Sequence, residues 1–307
     1  MRLAMLAVLG LVAYALPAQA QCTLTQFTVP GLTTAYDPFL DQASPVPVGL
    51  TLQTNGVSDC SGARVELALT YAPSSPQTGS QIHLKFAGAD LAASVTGPGG
   101  QNYSIGDPAN AFVDSRTSYP LGRAGLLSPG PIMQIGVPSG QTVPPGSYNA
   151  ELQLVAKVID AHGEVSQSSA PFSIMVNVKP SVRVAAGSGG LLIDVGELRP
   201  GAQGGPVRFD AYSNVDYTLR LISDNDFALV RNGRGAPGEG VPYQPIVSGA
   251  PVDSSASVSN QRIRNVEFTA PGGGLRHHTF AVRILPFSGL RAGDYLDLMT
   301  VEIRARI

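Results

Sequence analysis

Apolar and polar side chains alternate almost without interruption near the end of the chain. From Tyr295 every second residue except Asp297 is apolar: Tyr295, Met299, Val301, Ile303, Ala305 and Ile307. A two-residue period predicts a half-buried β-strand over 293–307, with one face on a core. A similar run opens at Gly146-Ser-Tyr148 and continues through Leu152, Leu154 and Val158. There the chain passes Gly163 into another alternating run, Phe172, Ile174, Val176 and Val178. No returning run follows 307, so one copy of the unit is expected to be complete and the other to lack its last strand.

Shorter alternations recur elsewhere. They cover Val46 to Leu52, Val65 to Tyr71, Ile82 to Phe86 and Met133 to Val137 in the first half. In the second half they include Val207 and Phe209, Tyr217 to Leu221, Val266 and Phe268, and Phe280 to Ile284. Residues 97–131 hold so many Gly and Pro that they predict long loops or very short strands. Lys179-Pro180 marks the start of the second unit, because proline has no N–H to give a ladder. Both units close alike, with a turn, then Gly146-x-Tyr148 or Gly293-x-Tyr295. A tyrosine just past a turn glycine at a strand start is common in Greek-key sandwiches. The expectation is an all-β protein of two tandem immunoglobulin-like β-sandwiches, 21–178 and 179–307, the C-terminal one lacking its last strand.

Composition agrees with this and adds a compartment. The chain has 35 Gly and 25 Pro, and 14% of its residues are charged. Long windows of helix formers are confined to the first residues, as in all-β chains. A formal net charge of −2 gives no electrostatic footprint for nucleic acid. Residues 1–20 combine Arg2, an apolar run from Leu3 to Leu16, and Ala18-Gln19-Ala20, the pattern of a cleaved secretory signal peptide. The apolar run is too short for a membrane span, and Gln21 before Cys22 does not suit a lipoprotein. Export makes a disulfide the expected state of Cys22 and Cys60, the two cysteines.

Catalytic chemistry finds no foothold. The chain has no G-x-S-x-G elbow, no H-E-x-x-H and no phosphate loop. His83 alternates with Ile82 and Leu84, so it points outward from a strand. His162 sits in a predicted hairpin turn, and His277 and His278 face opposite sides of a strand, so one metal would not hold both. Asp224-Asn225-Asp226 lacks the following Gly and distant Glu of a calcium loop and predicts a capped turn. The absence of Trp also disfavours a carbohydrate-stacking site. No catalytic residue, metal ligand or cofactor is assigned.

The chain resembles the spore coat protein U domain family, whose secreted members are subunits of archaic, Csu-type chaperone–usher pili. In the second half the resemblance is carried by Asp194-Val-Gly196-Glu-Leu198 with Pro200-Gly201, Tyr212-Ser213-Asn214, Val241-Pro-Tyr243 and Gly293-x-Tyr295-x-Asp297. In the first half it rests on Cys22, the Tyr36-Asp37-Pro38 turn and Gly146-x-Tyr148. The first half departs from the family in its long 97–131 insertion and its extra strand.

The resemblance implies an incomplete C-terminal sandwich with a groove beside its last strand. A periplasmic chaperone would fill that groove first, passing the subunit to an outer-membrane usher, before the N-terminal donor strand of an adjacent subunit replaces the chaperone. The acceptor edge would be Tyr295, Met299, Val301, Ile303, Ala305 and Ile307. Physics gives an independent reason, since a long apolar terminal edge is an aggregation hazard unless covered.

With Cys22 second in the mature chain, no donor segment is expected ahead of it. That places the subunit at a fibre tip on the cell surface. Residues 21–178 would then be an adhesin-like domain, serving attachment to an abiotic or host surface or biofilm formation. The loop residues Tyr103, Ile105, Tyr119, Leu121, Leu126 and Leu127 are the candidates for adhesion, as exposed apolar tips. The alternative is a secreted self-associating coat or matrix β-sandwich outside any pilus. A secreted sugar-active enzyme would require paired carboxylates converging in a cleft.

Overall fold

In the computed structural model the described residues are 22–40, 45–55, 60, 62–72, 79–97, 100, 102–107, 110–114, 117–121, 133–185, 191–232, 240–251, 263–268 and 273–306. The first half contains β1 (Leu24–Thr28), β2 (Leu32–Tyr36), β3 (Val46–Val48), β4 (Thr51–Thr54), β5 (Arg64–Tyr71), β6 (Ile82–Phe86), β7 (Ala89–Thr96) and β8 (Ile105–Gly106). A single helical turn, α1 (Ala111–Asp114), precedes β9 (Thr117–Pro120), β10 (Met133–Gly136), β11 (Gly146–Ile159) and β12 (Val165–Val178). The short elements between 97 and 121 fit the breaker-rich sequence there, and the all-β expectation holds.

The first half is organised around the β11–β12 hairpin. Its ladder runs without a break from Gly146↔Val178 to Ile159↔Val165. The turn is built by Asp160, whose carboxylate accepts the N–H groups of His162 and Glu164, both at 2.8 Å. Beyond the hairpin, β2 adds to β12 in parallel, and the later part of β11 pairs with β5. At its start β11 also touches β6 at Asn149↔Lys85, leading on to β7, β10 and β3. The inward row Leu152, Leu154 and Val158 is fully buried among Leu67, Leu84, Leu91 and Ile174. Strand β5 is buried on both faces because α1 covers its outer side, packing Ala111 and Phe112 on Ala68 and Val155. The expected disulfide joins Cys22 to Cys60, with Cα atoms 5.1 Å apart, beside the β1–β4 pair.

The second half contains β13 (Val182–Ala185), β14 (Gln203–Ser213), β15 (Tyr217–Ser223), β16 (Ala228–Arg231), β17 (Val241–Val247), β18 (Ala250–Pro251), β19 (Ile263–Phe268), β20 (Gly274–Ile284), β21 (Tyr295–Leu296) and β22 (Met299–Ala305). One sheet has the order β13-β14-β20-β17-β16-β21, with β18 on β17; the other is β19-β15-β22. Phe209, Phe280 and Val282 from the first meet Tyr217, Leu219 and Leu221 from the second in one apolar core. Among the described residues, no strand of 24–178 pairs with a strand of 182–305.

The chain between the halves is held at both ends. Lys179 N–H donates to the Tyr36 carbonyl at 3.0 Å. The Asn214 amide brackets the same stretch, accepting from Ser181 N–H at 2.8 Å and donating to the Lys179 carbonyl at 2.9 Å. Asn214 is 3% exposed, so a polar side chain is buried here to fix the connection. Arg183 reaches the Phe39 carbonyl at 3.1 Å, and the Phe39 and Tyr212 rings lie 6.2 Å apart.

Candidate strand-acceptor groove

The closing run of the chain is one alternating pattern but two strands. Tyr295 lies in β21 and pairs with Arg231 of β16, whereas Met299 begins the ladder to β15. The continuous strand expected over 293–307 is thereby corrected: the chain changes sheets at Asp297 and Leu298. The cause is the Asp297 side chain, which keeps the inward register without being apolar. Its carboxylate accepts from Ser223 Oγ at 2.7 Å, from Asn225 Nδ2 at 2.9 Å, and from the Tyr243 hydroxyl. A backbone bond from Asp224 N–H to the Leu298 carbonyl, 3.0 Å, closes the crossover. A carboxylate with that many donors is anchored, and the chain must bend around it.

Beyond the crossover, β22 has a neighbour on one side. Its ladder to β15 runs from Met299↔Ser223 to Ala305↔Tyr217. Among the described residues no strand pairs with its other edge. The inward residues Met299, Val301, Ile303 and Ala305 are half-buried, alternating with Thr300 and Arg304, which are exposed. Tyr295 shares the half-buried register, and Ile307 lies outside the described residues. Half-burial of an inward apolar row means that a layer over it is incomplete.

That gap is an open apolar cavity of about 440 Å³. It is lined by Phe209, Phe280 and Val282 of the first sheet, by Met299 and Val301 of β22, and by Leu191, Leu192, Ile193 and Val195. Leu296 and Leu298 at its mouth also line it and are 56% and 67% exposed. The combination of an unpaired ladder edge and an adjacent apolar trough offers both backbone bonds and side-chain pockets to an extended chain. The outward face of β22 is polar: Arg304 and Arg220 flank Glu302 and hold its carboxyl below the usual range. The alternation at 295–305 exposes this groove in the sequence. The Leu191–Val195 wall and the Ser223, Asn225 and Tyr243 anchor are 54 or more residues away from Asp297, with no local signal linking them.

The other candidate surface fares differently. Tyr103, Ile105 and Leu121, expected at exposed loop tips, are buried in the first core at 4%, 2% and 7% exposure. Tyr119 is half-buried, its hydroxyl 3.0 Å from that of Tyr103. The described residues between 102 and 121 pack on β5 and β7, where apolar side chains are stabilised by the core, so these four residues are corrected from adhesive tips to packing residues. Leu126 and Leu127 lie outside the described residues.

The histidines follow their registers. His83 is exposed, and His277 contacts Asp210 at 2.8 Å on the outer face. His278 is buried on the inner face, stacked on Phe209 and hydrogen-bonded to the Tyr217 hydroxyl. Burial, aided by Arg276, pushes the His278 pKa down, keeping the ring neutral. Asp224–Asp226 is a capped turn, Asn225 N–H donating to Ser223 Oγ at 3.2 Å. Among the described residues no group of three or more His, Cys, Asp or Glu side chains could hold a metal ion.

No family model and no curated protein matches the chain. Among solved structures it is similar to the CsuC–CsuE chaperone–tip adhesion subunit complex from archaic chaperone–usher Csu pili of Acinetobacter baumannii. That likeness has 16% identity and a TM-score of 0.47 over 91% of this chain and 99% of that one. It is also similar to the CupB6 tip adhesin from Pseudomonas aeruginosa, at 9% identity and a TM-score of 0.37 over 92% and 94% of the two chains. A third likeness is to CfaE, the adhesive subunit of CFA/I fimbria of enterotoxigenic Escherichia coli, at 10% identity and a TM-score of 0.27 over 94% and 99%. Each is a distant likeness, and no functional residue is carried over from it.

Proposed function

We propose that this chain is a subunit of a chaperone–usher pilus whose C-terminal domain, 179–307, is completed by a strand from another protein. The observation that carries this reading is the free edge of β22 beside an open apolar groove. A donor strand running along β22 satisfies its free N–H and C=O groups and buries Met299, Val301 and Ile303. Each donor side chain entering the groove contributes about 1.5–3 kcal/mol before ordering costs. Several together rival the stability of a whole domain. A periplasmic chaperone covers the groove during export, the usher receives the subunit, and the donor strand of the adjacent subunit then replaces the chaperone.

The N-terminal domain, 21–178, needs no such help, since β12 completes it. Its residues from Cys22 onward are committed to its own body by the disulfide and by β1. On this reading the subunit sits at the fibre tip, with 21–178 facing the surface to which the cell attaches, as in a biofilm. Leu126 and Leu127 remain its candidate contacts. Replacing both with Ser is expected to reduce attachment to a hydrophobic surface; unchanged attachment removes them.

The test of the groove is direct. Peptides from the N-termini of neighbouring subunits, added to the purified protein, are expected to raise the melting temperature of the C-terminal domain. No shift with any of them overturns the reading. A second reading, a self-associating coat or matrix component, is favoured by the exposed Leu296 and Leu298 beside the free edge. It predicts concentration-dependent assembly of this chain alone, measured by light scattering, with no need of a donor.

A further inference from the structure

Between Ala185 and Gln203 the described chain forms no ladder, yet one part of it lies in the groove. Ile193 and Val195 turn inward, half-buried against the second core, while Leu192 between β13 and Ile193 is 85% exposed. The segment is shaped rather than slack. Asp194 Oδ1 accepts the Gly196 N–H at 2.8 Å, and Gly196 has φ of +65°. Underneath, Gly204 of β14 leaves the room it needs. A Cβ there would come within 2.8 Å of Ile193 Cγ2 and 2.9 Å of Val195 Cγ2. The close approach of this segment to β14 therefore depends on the absence of a side chain at 204.

We propose that Leu191–Val195 is a built-in placeholder: it covers part of the groove while no strand is bound and gives way when one enters. This rests on the strand-accepting reading above. A strand added to the free edge of β22 runs about 4.8 Å from it, beside the cavity that Met299 and Val301 line together with Ile193 and Val195. The placeholder supplies apolar cover alone. It makes no ladder with β22, so the edge N–H and C=O groups keep their capacity for a partner. An extended chain of alternating apolar residues supplies both the cover and the ladder, and so outcompetes the segment. The same segment lowers the exposed apolar area of the uncomplemented domain, which limits edge-to-edge aggregation. The occupant is thus an extended protein segment with apolar residues at every second position.

The experiment compares the full chain with the double variant Ile193→Ser/Val195→Ser. The probes are a hydrophobic fluorescent dye and a synthetic alternating Val–Thr peptide long enough to run along Met299–Ala305. Loss of the cover is expected to raise dye binding severalfold and to speed peptide uptake about tenfold, the effect of removing two half-buried aliphatic contacts. The milder Ile193→Ala variant must shift both readouts in the same direction, which separates loss of cover from loss of folding. Unchanged dye binding and uptake overturn the proposal. Weaker or slower uptake overturns it as well, by making these side chains part of the bound strand's seat. A rise in dye binding with no peptide uptake by either protein overturns the strand-accepting reading, and with it the displacement.

Discussion

The two halves end their Gly-x-Tyr motifs in the same way and then diverge. Gly146 and Gly293 both have positive φ, +153° and +149°. Two residues on, Tyr148 donates its hydroxyl to the Pro144 carbonyl and Tyr295 to the Arg291 carbonyl, both at 2.9 Å. The following strand in the first half, β11, lies between two neighbours along most of its length, and its inward residues are almost fully buried. In the second half β22 pairs with one strand among the described residues, and its inward residues are half-buried. A local corner can therefore be complete while the layer it introduces is not. Completeness is decided by the number of strands that cover the edge.

The sharpest test of that difference is core truncation. Leu154→Ala in β11 is expected to destabilise the first half by about 3–5 kcal/mol, as for a fully buried leucine. Ile303→Ala in β22 should cost about 1 kcal/mol, because its side chain is already half in water. Chemical denaturation of each half measures both; equal losses would break the comparison. Binding of a donor peptide should enlarge the Ile303 effect towards the Leu154 value.

Next in size is the glycine at each corner. At position 146 a Cβ would sit 2.2 Å from the Phe86 ring, which is packed against Tyr148, so Gly146→Ala is expected to cost about 2–3 kcal/mol. At 293 the nearest atom is the Arg231 side chain, 2.6 Å away and free to move at its far end. Gly293→Ala should cost about 1 kcal/mol, mostly from the backbone. Smaller still is the loss of the corner hydroxyl. Tyr148→Phe removes a part-buried bond to the Pro144 carbonyl and should cost about 1 kcal/mol, while Tyr295→Phe, at an exposed corner, costs less. Thermal melts of the paired variants order them.

The smallest effect at neutral pH is titration of His278, which has no counterpart in the first half. Its pKa is lowered by burial from the ordinary 6.5. The unfolded chain therefore binds a proton that the folded second half refuses. The stability of the second half is unaffected above that value and falls as pH drops below it. His278→Gln should flatten this dependence in that half, and an unaltered slope would assign it to another group.

Much of the architecture was legible because it is local. The period-two runs at 146–158 and 299–305 are strands for the reason alternation predicts, one face apolar and the other wet. The crossover at Asp297 was visible only as a missing apolar residue, since its partners Ser223, Asn225 and Tyr243 come from other strands. Tyr103 and Ile105 sit in a breaker-rich stretch with no period, and their burial is settled by contacts with distant strands. Gly97 permits one of these, because a Cβ there would lie 2.5 Å from the Tyr103 ring. The parallel pairing of β2 on β12 likewise joins distant segments. The groove was half legible: its strand wall by periodicity, its Leu191–Val195 wall not at all.

The bracketing of Lys179–Ser181 by Asn214 bears on how the halves move. A pull applied to the second half reaches the first through a bridge three residues long, already pinned by side chain and backbone on both ends. Such a bridge has no slack to reel out before load arrives. It acts as a stiff coupling rather than a swivel. The first half is therefore expected to turn with the second as one piece instead of swinging about the connection.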